Sequence, residues 1–241
     1  MSAASLIGGT AGVAALAAGG LIYASIAPTS QIFGSTLIAG NDPSEIALTF
    51  DDGPNDAATP HLLDVLARHN VRATFFMMGS YARQRPELVR AVAAAGHLIG
   101  NHTMTHPNLL LTSAGRVRLE LAECSAILED LIGEGVEYFR SPFGARRPVV
   151  LRIARELRLT PVMWNVTGFD WDPKGTEAIW KNLTAGILKN RARGNGSNLL
   201  LHDGGHRAMG AARMDTVRAV ERLLEADSGT LSRFVTVDAW G

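Results

Sequence analysis

The sequence has little cysteine and no net charge, and each of these features excludes certain structures or partners. Its 241 residues include one cysteine, Cys124, so no disulfide can form within the chain and cysteine use leaves the redox compartment open. Cys124 shares a helical face with Leu121 and Leu128, which predicts a buried core thiol rather than a nucleophile. Acidic and basic side chains number 23 each. Because nucleic-acid binding relies on a positive field, we expect no nucleic-acid partner.

Charged side chains are absent from residues 1–41. Residues 6–27 are almost entirely Ala, Gly, Leu, Ile and Val, and as a helix they would span a bilayer core of about 30 Å. Anchors and signals usually carry Lys or Arg before the apolar run, but the first such residue here is Arg68. We predict that residues 1–41 are an anchor or signal with a linker, which gives membrane association or export to the cell envelope. A flexible or packed apolar extension is the alternative.

Residues 42–241 read as one domain in which strand and helix patterns alternate. Hydrophobic periodicity predicts seven strands, at residues 46–50, 71–77, 97–100, 137–140, 161–165, 198–202 and 234–237. Helices are predicted between them, at residues 59–68, 86–96, 113–132, 148–157, 176–189 and 212–226. This alternation favours an α/β fold, a barrel-like (β/α)7 sheet with parallel strands.

Polar side chains stand at or just beyond the ends of the predicted strands. They are Asp51 and Asp52, His102, Arg140, Asp170 and His202. In parallel α/β barrels the chemistry gathers at the carboxyl ends of the strands. We therefore expect these side chains to share one site.

The pair Asp51 and Asp52 follows the apolar run that ends at Phe50. Adjacent carboxylates repel each other, so they persist most naturally where a cation or a proton-transfer role offsets the repulsion. A solvated turn at Gly53 and Pro54 is the alternative.

His102 and His106 are four residues apart. In a helical turn their imidazoles would lie on one face, about 5–6 Å apart. Two histidines and one carboxylate, with a position left open, suit catalytic zinc and related divalent metals. Such a pair alone also occurs by chance on helix surfaces, but together with the two aspartates it indicates a metal site.

Three further motifs supply single polar residues. Arg140 lies in FRSPFG, where a guanidinium could orient a carboxylate through paired hydrogen bonds. Asp170 lies in WNVTGFDW and His202 ends the strand in LLLHDGG. Taken singly, a surface arginine and a structural histidine are the alternatives.

Five motifs in order, TFDDGP, NHTMTHP, FRSPFG, WNVTGFDW and LLLHDGG, resemble those of the polysaccharide deacetylase family. This is carbohydrate esterase family four, with its chitooligosaccharide deacetylase homology domain. The resemblance covers about residues 45–237. It implies a distorted barrel of seven strands and metal-dependent removal of acetyl groups from sugars.

The resemblance also implies a role for each matching residue. Asp52, His102 and His106 match the metal ligands. Asp51 matches the general base that takes a proton from the attacking water, and His202 matches the acid that protonates the departing amine.

The same resemblance extends to supporting residues. Arg140 matches the group that orients the base, and Asp170 the carboxylate that keeps the acid protonated and aligned. Phe143 matches the position whose backbone N–H holds the oxyanion. Trp171 and Leu200 match apolar walls around the acetyl methyl group.

Some positions depart from the family pattern. Ser141 replaces a proline and Phe143 a tyrosine, changes from which we expect little chemical loss. Thr167 replaces an aspartate, which could alter the rim of the site or the support of Asp170. His206 and Arg207 either reach the substrate or belong to a solvated loop.

The sequence therefore predicts a metal-dependent hydrolase that removes N-acetyl groups from an amino-sugar polysaccharide or oligosaccharide, peptidoglycan or chitin-like. The expected metal is zinc, with cobalt or another divalent ion as alternatives, and we expect a monomer. Two other functions stay open: a deformylase or amidase on a small or lipid-linked sugar, and a carbohydrate-binding relative without turnover.

Overall fold

A computed structural model describes residues 19–20, 22–172, 175–227 and 232–241. Within these ranges the strands are β1 (Glu45–Gly53), β2 (Thr74–Met77), β3 (Leu98–Asn101), β4 (Tyr138–Phe139), β5 (Thr160–Pro161), β6 (Val166–Thr167), β7 (Ser197–His202) and β8 (Arg233–Val235). The α-helices between them are α1 (Thr59–Arg68), α2 (Gly79–Gln84), α3 (Pro86–Ala94), α4 (Ala114–Ile132), α5 (Pro148–Glu156), α6 (Gly175–Arg191) and α7 (Met214–Asp227).

The strands form one parallel sheet that curls into a half-barrel. Its order is β5-β4-β3-β2-β1-β7-β6, and β8 pairs with the start of β1. Helices connect successive strands, as parallel pairing requires, except between β5 and β6, which do not pair with each other. The predicted α/β fold, a distorted barrel with seven parallel strands in its path, is confirmed.

Strand β1 is the centre of the sheet. All nine of its residues are buried, as expected for a parallel strand covered on both faces. It pairs with β2, β7 and β8, and its register places Asp51 opposite His202 of β7. The end of β1 therefore brings residues distant in sequence to one edge of the sheet.

The single strand predicted at residues 161–165 is wrong. Pro161 ends β5, which pairs with β4, whereas Val166 begins β6, which pairs with β7. Between them, Asn165 donates from Nδ2 to the Gly196 carbonyl oxygen and accepts from the Asn198 N–H. The chain therefore crosses here from one end of the sheet order to the other.

Helix α2 is an α-helix that the sequence did not predict. Its six residues, which include Tyr81 and the buried Gly79 and Ala82, are too few to show a helical period. The following helix begins at Pro86, as predicted.

Cys124 is fully buried in α4, within the main core cluster that also holds Leu121 and Leu128. Burial raises the pKa of its thiol to about 12, so the thiolate needed for nucleophilic attack does not form near neutral pH. The prediction of a core thiol is confirmed.

The start of the described chain packs on the rest of the fold through Arg146. Residues 22–26 are helical, and Ala24 is buried. Arg146 is 1% exposed and donates from Nη2 to the carbonyl oxygens of Ala27, at 2.7 Å, and Ser30, at 2.8 Å. Most of the apolar run at residues 6–27, namely residues 6–18 and 21, lies outside the described residues. None of the helices in the described ranges is long and apolar enough to cross a membrane.

Candidate active site and metal centre

Asp52, His102 and His106 form a buried cluster at the carboxyl ends of β1 and β3. Each offers a ligand atom, and these atoms lie within 4.8 Å of one another. Asp52 Oδ1 is 3.4 Å from His102 Nε2 and 3.1 Å from His106 Nε2. Although buried, this oxygen makes no hydrogen bond within the described part of the chain. A buried, unsatisfied carboxylate oxygen facing two imidazole nitrogens fits a divalent cation.

The protonation of the cluster also suits a cation. Burial alone would raise the pKa of Asp52, but His102 and His106 outweigh it and hold that pKa below its usual range. Burial lowers the pKa of His106. The cluster therefore presents an ionised carboxylate and a neutral imidazole, which are the forms that bind metals.

The tautomer of His102 follows from its second nitrogen. Nδ1 lies 2.8 Å from the carbonyl oxygen of Arg140. Because a carbonyl can only accept, Nδ1 carries the proton and Nε2 keeps its lone pair toward Asp52. Hydrogen bonds of this kind commonly orient histidines that bind metals.

The histidine pair lies in a loop, so the predicted helical turn is wrong. Thr103 and His106 have φ values of 68° and 59°, a left-handed backbone that cannot continue a right-handed helix. The Thr103 N–H donates to Asn101 Oδ1, and buried Glu120 accepts from both the N–H and the hydroxyl of Thr105. The two imidazole centroids are nevertheless 5.0 Å apart.

Asp51 and Asp52 both face the site because β1 is irregular at its end. Successive side chains of a regular strand point to opposite faces. Here the register shifts between Asp51 and Gly53, and Asp52 has a φ of 72°. Gly53 is required as well, since a Cβ there would lie 2.2 Å from Asp203 Oδ2. This bulge gives the adjacent carboxylates separate positions.

Arg140 holds one oxygen of Asp51. It is fully buried, and its Nη1 donates to Asp51 Oδ1 at 2.9 Å and to Thr49 Oγ1 at 2.6 Å. Its Nη2 donates to the carbonyl oxygen of Met163 and to Asn198 Oδ1. Arg140 thus binds the carboxylate through one N–H rather than the expected pair, and its other hydrogen bonds, to Thr49, Met163 and Asn198, hold the guanidinium in place.

The second oxygen of Asp51 faces the metal cluster. Asp51 Oδ2 lies 3.9 Å from His102 Nε2, beyond hydrogen-bond distance. Since Oδ1 is held by Arg140, Oδ2 is the oxygen available to take a proton beside the cluster.

His202 is held by Asp170 at the end of β7. Its Nδ1 is 2.8 Å from Asp170 Oδ1, and its backbone N–H donates to Asp170 Oδ2. Thr216 of α7, which the sequence analysis missed, also donates to Oδ2. Burial lowers the pKa of His202, but Asp170, reinforced by Asp52 and Asp51, outweighs burial and raises that pKa to about 9. The imidazole is therefore protonated at neutral pH.

These groups open onto a cavity of about 510 Å³. Phe143, Trp171 and Leu200, the three residues predicted to contact substrate, line it together with Trp164 and Arg213, which the sequence analysis missed. Leu200 is buried, whereas Phe143 and Trp171 are about half exposed at 54% and 49%. The walls are thus largely apolar around a polar floor, as in small-molecule sites generally.

His206 and Arg207 follow His202, and the sequence left open whether they reach the substrate or belong to a solvated loop. His206 packs against His106, with ring centroids 4.4 Å apart, so its side chain belongs to the site rather than to a solvated loop. Arg207 is exposed and lines the cavity. Thr167, the departure before Asp170, accepts from the Phe169 N–H and so supports the turn there.

Comparison with known proteins places these features in a family. The family model for polysaccharide deacetylase matches residues 39–162. The chain belongs to the polysaccharide deacetylase family. The family membership predicted from the five motifs is confirmed, and the chain is accordingly a hydrolase of the deacetylase class.

Two relatives are named for glycan substrates. Over 203 residues the chain is 37% identical to a chitooligosaccharide deacetylase of Sinorhizobium fredii, an alignment that covers 81% of this chain and 92% of the relative. Over 199 residues it is 36% identical to a peptidoglycan-N-acetylglucosamine deacetylase of Bacillus cereus, covering 80% and 67%.

A solved structure supports the same assignment. The crystal structure of the Bc1960 peptidoglycan N-acetylglucosamine deacetylase, in complex with 4-naphthalen-1-yl-N-oxidanyl-benzamide, superposes with a TM-score of 0.75 at 33% identity. It covers 84% of this chain and 90% of the other. Deacetylases of this family use a divalent metal, a requirement that the cluster of Asp52, His102 and His106 fits.

Proposed function

We propose that this deacetylase removes N-acetyl groups from an amino-sugar polysaccharide or oligosaccharide of the peptidoglycan or chitin type, and that its metal is zinc. One observation carries the proposal. Two proton-transfer groups with partners of opposite charge, Asp51 with Arg140 and His202 with Asp170, flank a buried cluster suited to a cation.

In this proposal Asp52, His102 and His106 hold the metal. What a bound cation supplies is acidification of water and polarisation of the acetyl carbonyl. Two imidazoles and one carboxylate would leave a coordination position open for water or substrate, as in catalytic zinc sites.

Asp51 acts as the general base. Its Oδ2 takes a proton from the water that attacks the acetyl carbon, while Arg140 keeps Oδ1 in place. Burial of Arg140 excludes water from this pair, so the geometry is held before substrate arrives. The backbone N–H of Phe143 is the proposed donor to the developing oxyanion.

His202 acts as the general acid. It donates the proton on Nε2 to the sugar nitrogen as the C–N bond breaks, because an amine leaves poorly without a proton. Asp170 holds Nδ1 and stabilises the charged imidazole. The products are acetate and the free amino sugar, with one proton accepted by Asp51 and one supplied by His202.

Apolar side chains around the cavity support a sugar substrate that carries a small acyl group. Leu200 and Trp171 are the proposed walls for the acetyl methyl group. The exposed rings of Phe143, Trp171 and Phe169 offer surfaces on which pyranose rings can stack. The names of the relatives, chitooligosaccharide and peptidoglycan deacetylases, support the same substrate class.

A location in the cell envelope is part of the proposal. The charge-free run at residues 6–27 and the peptidoglycan named for the Bacillus cereus relative support an anchored or exported enzyme. Recovery of the native protein only in the soluble cytosolic fraction of cells would contradict it.

The function is tested by measuring acetate and formate released from chitooligosaccharides, peptidoglycan, and short N-acetyl and N-formyl sugars. We expect zinc-dependent acetate release that is abolished by chelation and absent from Asp52→Ala. Faster release of formate from short sugars would favour a deformylase instead. Glycan binding without release of either acid would indicate a carbohydrate-binding relative.

A further inference from the structure

His206 lies four residues after His202 and contacts the metal cluster without belonging to it. Its ring stacks on that of His106, with centroids 4.4 Å apart and planes inclined by 15°. The side chain is 33% exposed, and His206 is absent from the group whose ligand atoms lie within 4.8 Å of one another. The side chain of His206 therefore meets His106 through the face of its ring.

His106 differs from His102 in how its orientation is fixed. His102 is oriented by the hydrogen bond from Nδ1 to the Arg140 carbonyl oxygen. Nδ1 of His106 is buried and has no such bond among the residues described. Histidines that bind metals usually rely on that second nitrogen for orientation and basicity. Something else must orient the ring of His106.

Aromatic packing supplies the missing constraint. His206 covers one face of the His106 ring, and Phe143 meets the same ring nearly edge-on, with centroids 4.6 Å apart and planes inclined by 75°. Phe143 and His206 also contact each other edge-to-face at 5.2 Å. The three rings form one packed unit, so rotation of His106 would require His206 or Phe143 to move.

The backbone of His206 orients a second ligand. Its N–H donates to Asp52 Oδ2 at 3.3 Å, whereas its Nδ1 is 3.7 Å from the same oxygen, too far for a hydrogen bond. This contact leaves Oδ1 directed at His102 and His106. Substitution of the side chain removes the ring stack and spares the backbone contact.

The segment that carries His206 is itself held in place. Tyr81 of α2 donates to the Gly205 carbonyl oxygen at 3.1 Å, and Arg213 donates to the Gly204 carbonyl oxygen at 2.6 Å. A Cβ at Gly204 would lie 2.0 Å from the Asp52 carbonyl oxygen, so this backbone approaches the ligand strand as closely as glycine allows. The position of His206 is thus set before any ligand binds.

We propose that His206 is a positioning residue that sets metal affinity. Its stacked ring fixes the orientation of the His106 ring, as the hydrogen bond from Nδ1 does for His102. The inference rests on the proposed use of Asp52, His102 and His106 as metal ligands. It assigns His206 to the ring packing and not to the ligand set.

The test is the zinc dissociation constant of the purified, metal-free chain, measured by competition with a chelating dye. Loss of an outer contact to a ligand typically weakens metal binding about 10- to 100-fold, so we expect His206→Ala to weaken it by about 10-fold or more. His206→Phe keeps a ring and removes both nitrogens. We expect its dissociation constant to stay within about threefold of the wild type.

The comparison of these two variants separates stacking from ligation. If His206 bound the metal, Phe would be as damaging as Ala, and that result would overturn the proposal. Unchanged affinity in His206→Ala would overturn it too.

His61→Ala, which removes an exposed histidine of α1, is the matched control. Circular dichroism of each metal-free variant checks folding. Failure of the wild type to bind zinc would instead overturn the proposed metal site itself.

Discussion

Asp51 of β1 and His202 of β7 are register partners in adjacent parallel strands, and each is bound by a side chain of opposite charge. Arg140 holds the carboxylate, and Asp170 holds the imidazole. Neighbouring strands in register direct their side chains to the same side of a sheet. The fold thus places the proposed proton acceptor and the proposed proton donor beside one cavity, each next to its own partner of opposite charge.

Asp51→Asn separates proton transfer from metal binding. The amide keeps the size of the side chain but cannot take a proton, so we expect acetate release to fall about 10²- to 10⁴-fold. Zinc affinity should change little because Asp52, not Asp51, faces both imidazoles. Steady-state assays and a zinc titration measure the two effects.

The matched control for that variant is Asp56→Asn, which changes an exposed aspartate paired with Arg85. We expect it to retain full activity. An Asp51→Asn enzyme with unchanged turnover would remove this residue from the role of base.

Asp170→Asn should move the alkaline limb of the pH–rate profile. The pKa of His202 is raised to about 9, so the acid stays protonated, and the rate is sustained, until pH rises through that value. Burial opposes this protonation and Asp170 is the principal cause of the increase. Loss of one adjacent opposite charge shifts a pKa by about 1–3 units, so the limb should move down by that amount.

The pH profile of kcat between pH 5 and 10 checks this prediction. The deficit of the variant should be larger at pH 8 than at pH 6. A profile that is lowered uniformly, with its alkaline limb unmoved, would mean that Asp170 acts only by holding the structure. Asp215→Asn, which changes an exposed aspartate on the same helix as Thr216, is a suitable control.

Arg140→Met should destabilise the fold as well as lower the rate. Removal of one member of a buried ion pair leaves the other without its partner and typically costs about 3–5 kcal/mol. Arg140 and Asp51 are both almost fully buried, and Arg140 also donates to Thr49 and Asn198. Urea denaturation gives the free energy of unfolding.

Exposed Arg118 provides the comparison for Arg140. Its side chain is 47% exposed and pairs with Glu156, so Arg118→Met should cost no more than about 1 kcal/mol. Equal losses of unfolding free energy in the two variants would show that the buried ion pair contributes no more to stability than the exposed one.

The sequence predicted the strand ends well because their signal is local. An apolar run that stops at a charged residue, as at Asp51 or His202, marks both the strand and its polar end within a few residues. All ten predicted site residues accordingly lie at one end of the sheet, eight of them lining the cavity with Arg140 and Asp170 behind. Their catalytic roles stay predictions until the variants are measured.

The loop geometry could not be predicted because distant residues determine it. The spacing of His102 and His106 suits a helix equally well, and buried Glu120, 15 residues beyond Thr105, favours the left-handed loop instead. Thr216 reaches Asp170 across 46 residues. Such partners carry no signal at the motif itself, since the contact exists only after the sheet has formed.

Phe169→Ala should raise KM for oligosaccharides more than it lowers kcat. Phe169 is 48% exposed, its ring meets Trp171 edge-to-face at 5.4 Å, and Trp171 in turn lies 5.5 Å from His202. Its φ of 52° is rare for an aromatic residue, and such backbone conformations cluster at ligand sites.

Loss of one aromatic contact costs about 0.5–1.5 kcal/mol, which corresponds to a rise in KM of about 2- to 12-fold. Phe169 is not among the residues that line the cavity at the cluster, so the KM for a single N-acetyl sugar should stay unchanged. Leu111→Ala, which alters an 86% exposed apolar residue, is the control. An equal rise in KM for long and short substrates would place Phe169 outside any subsite for additional sugars.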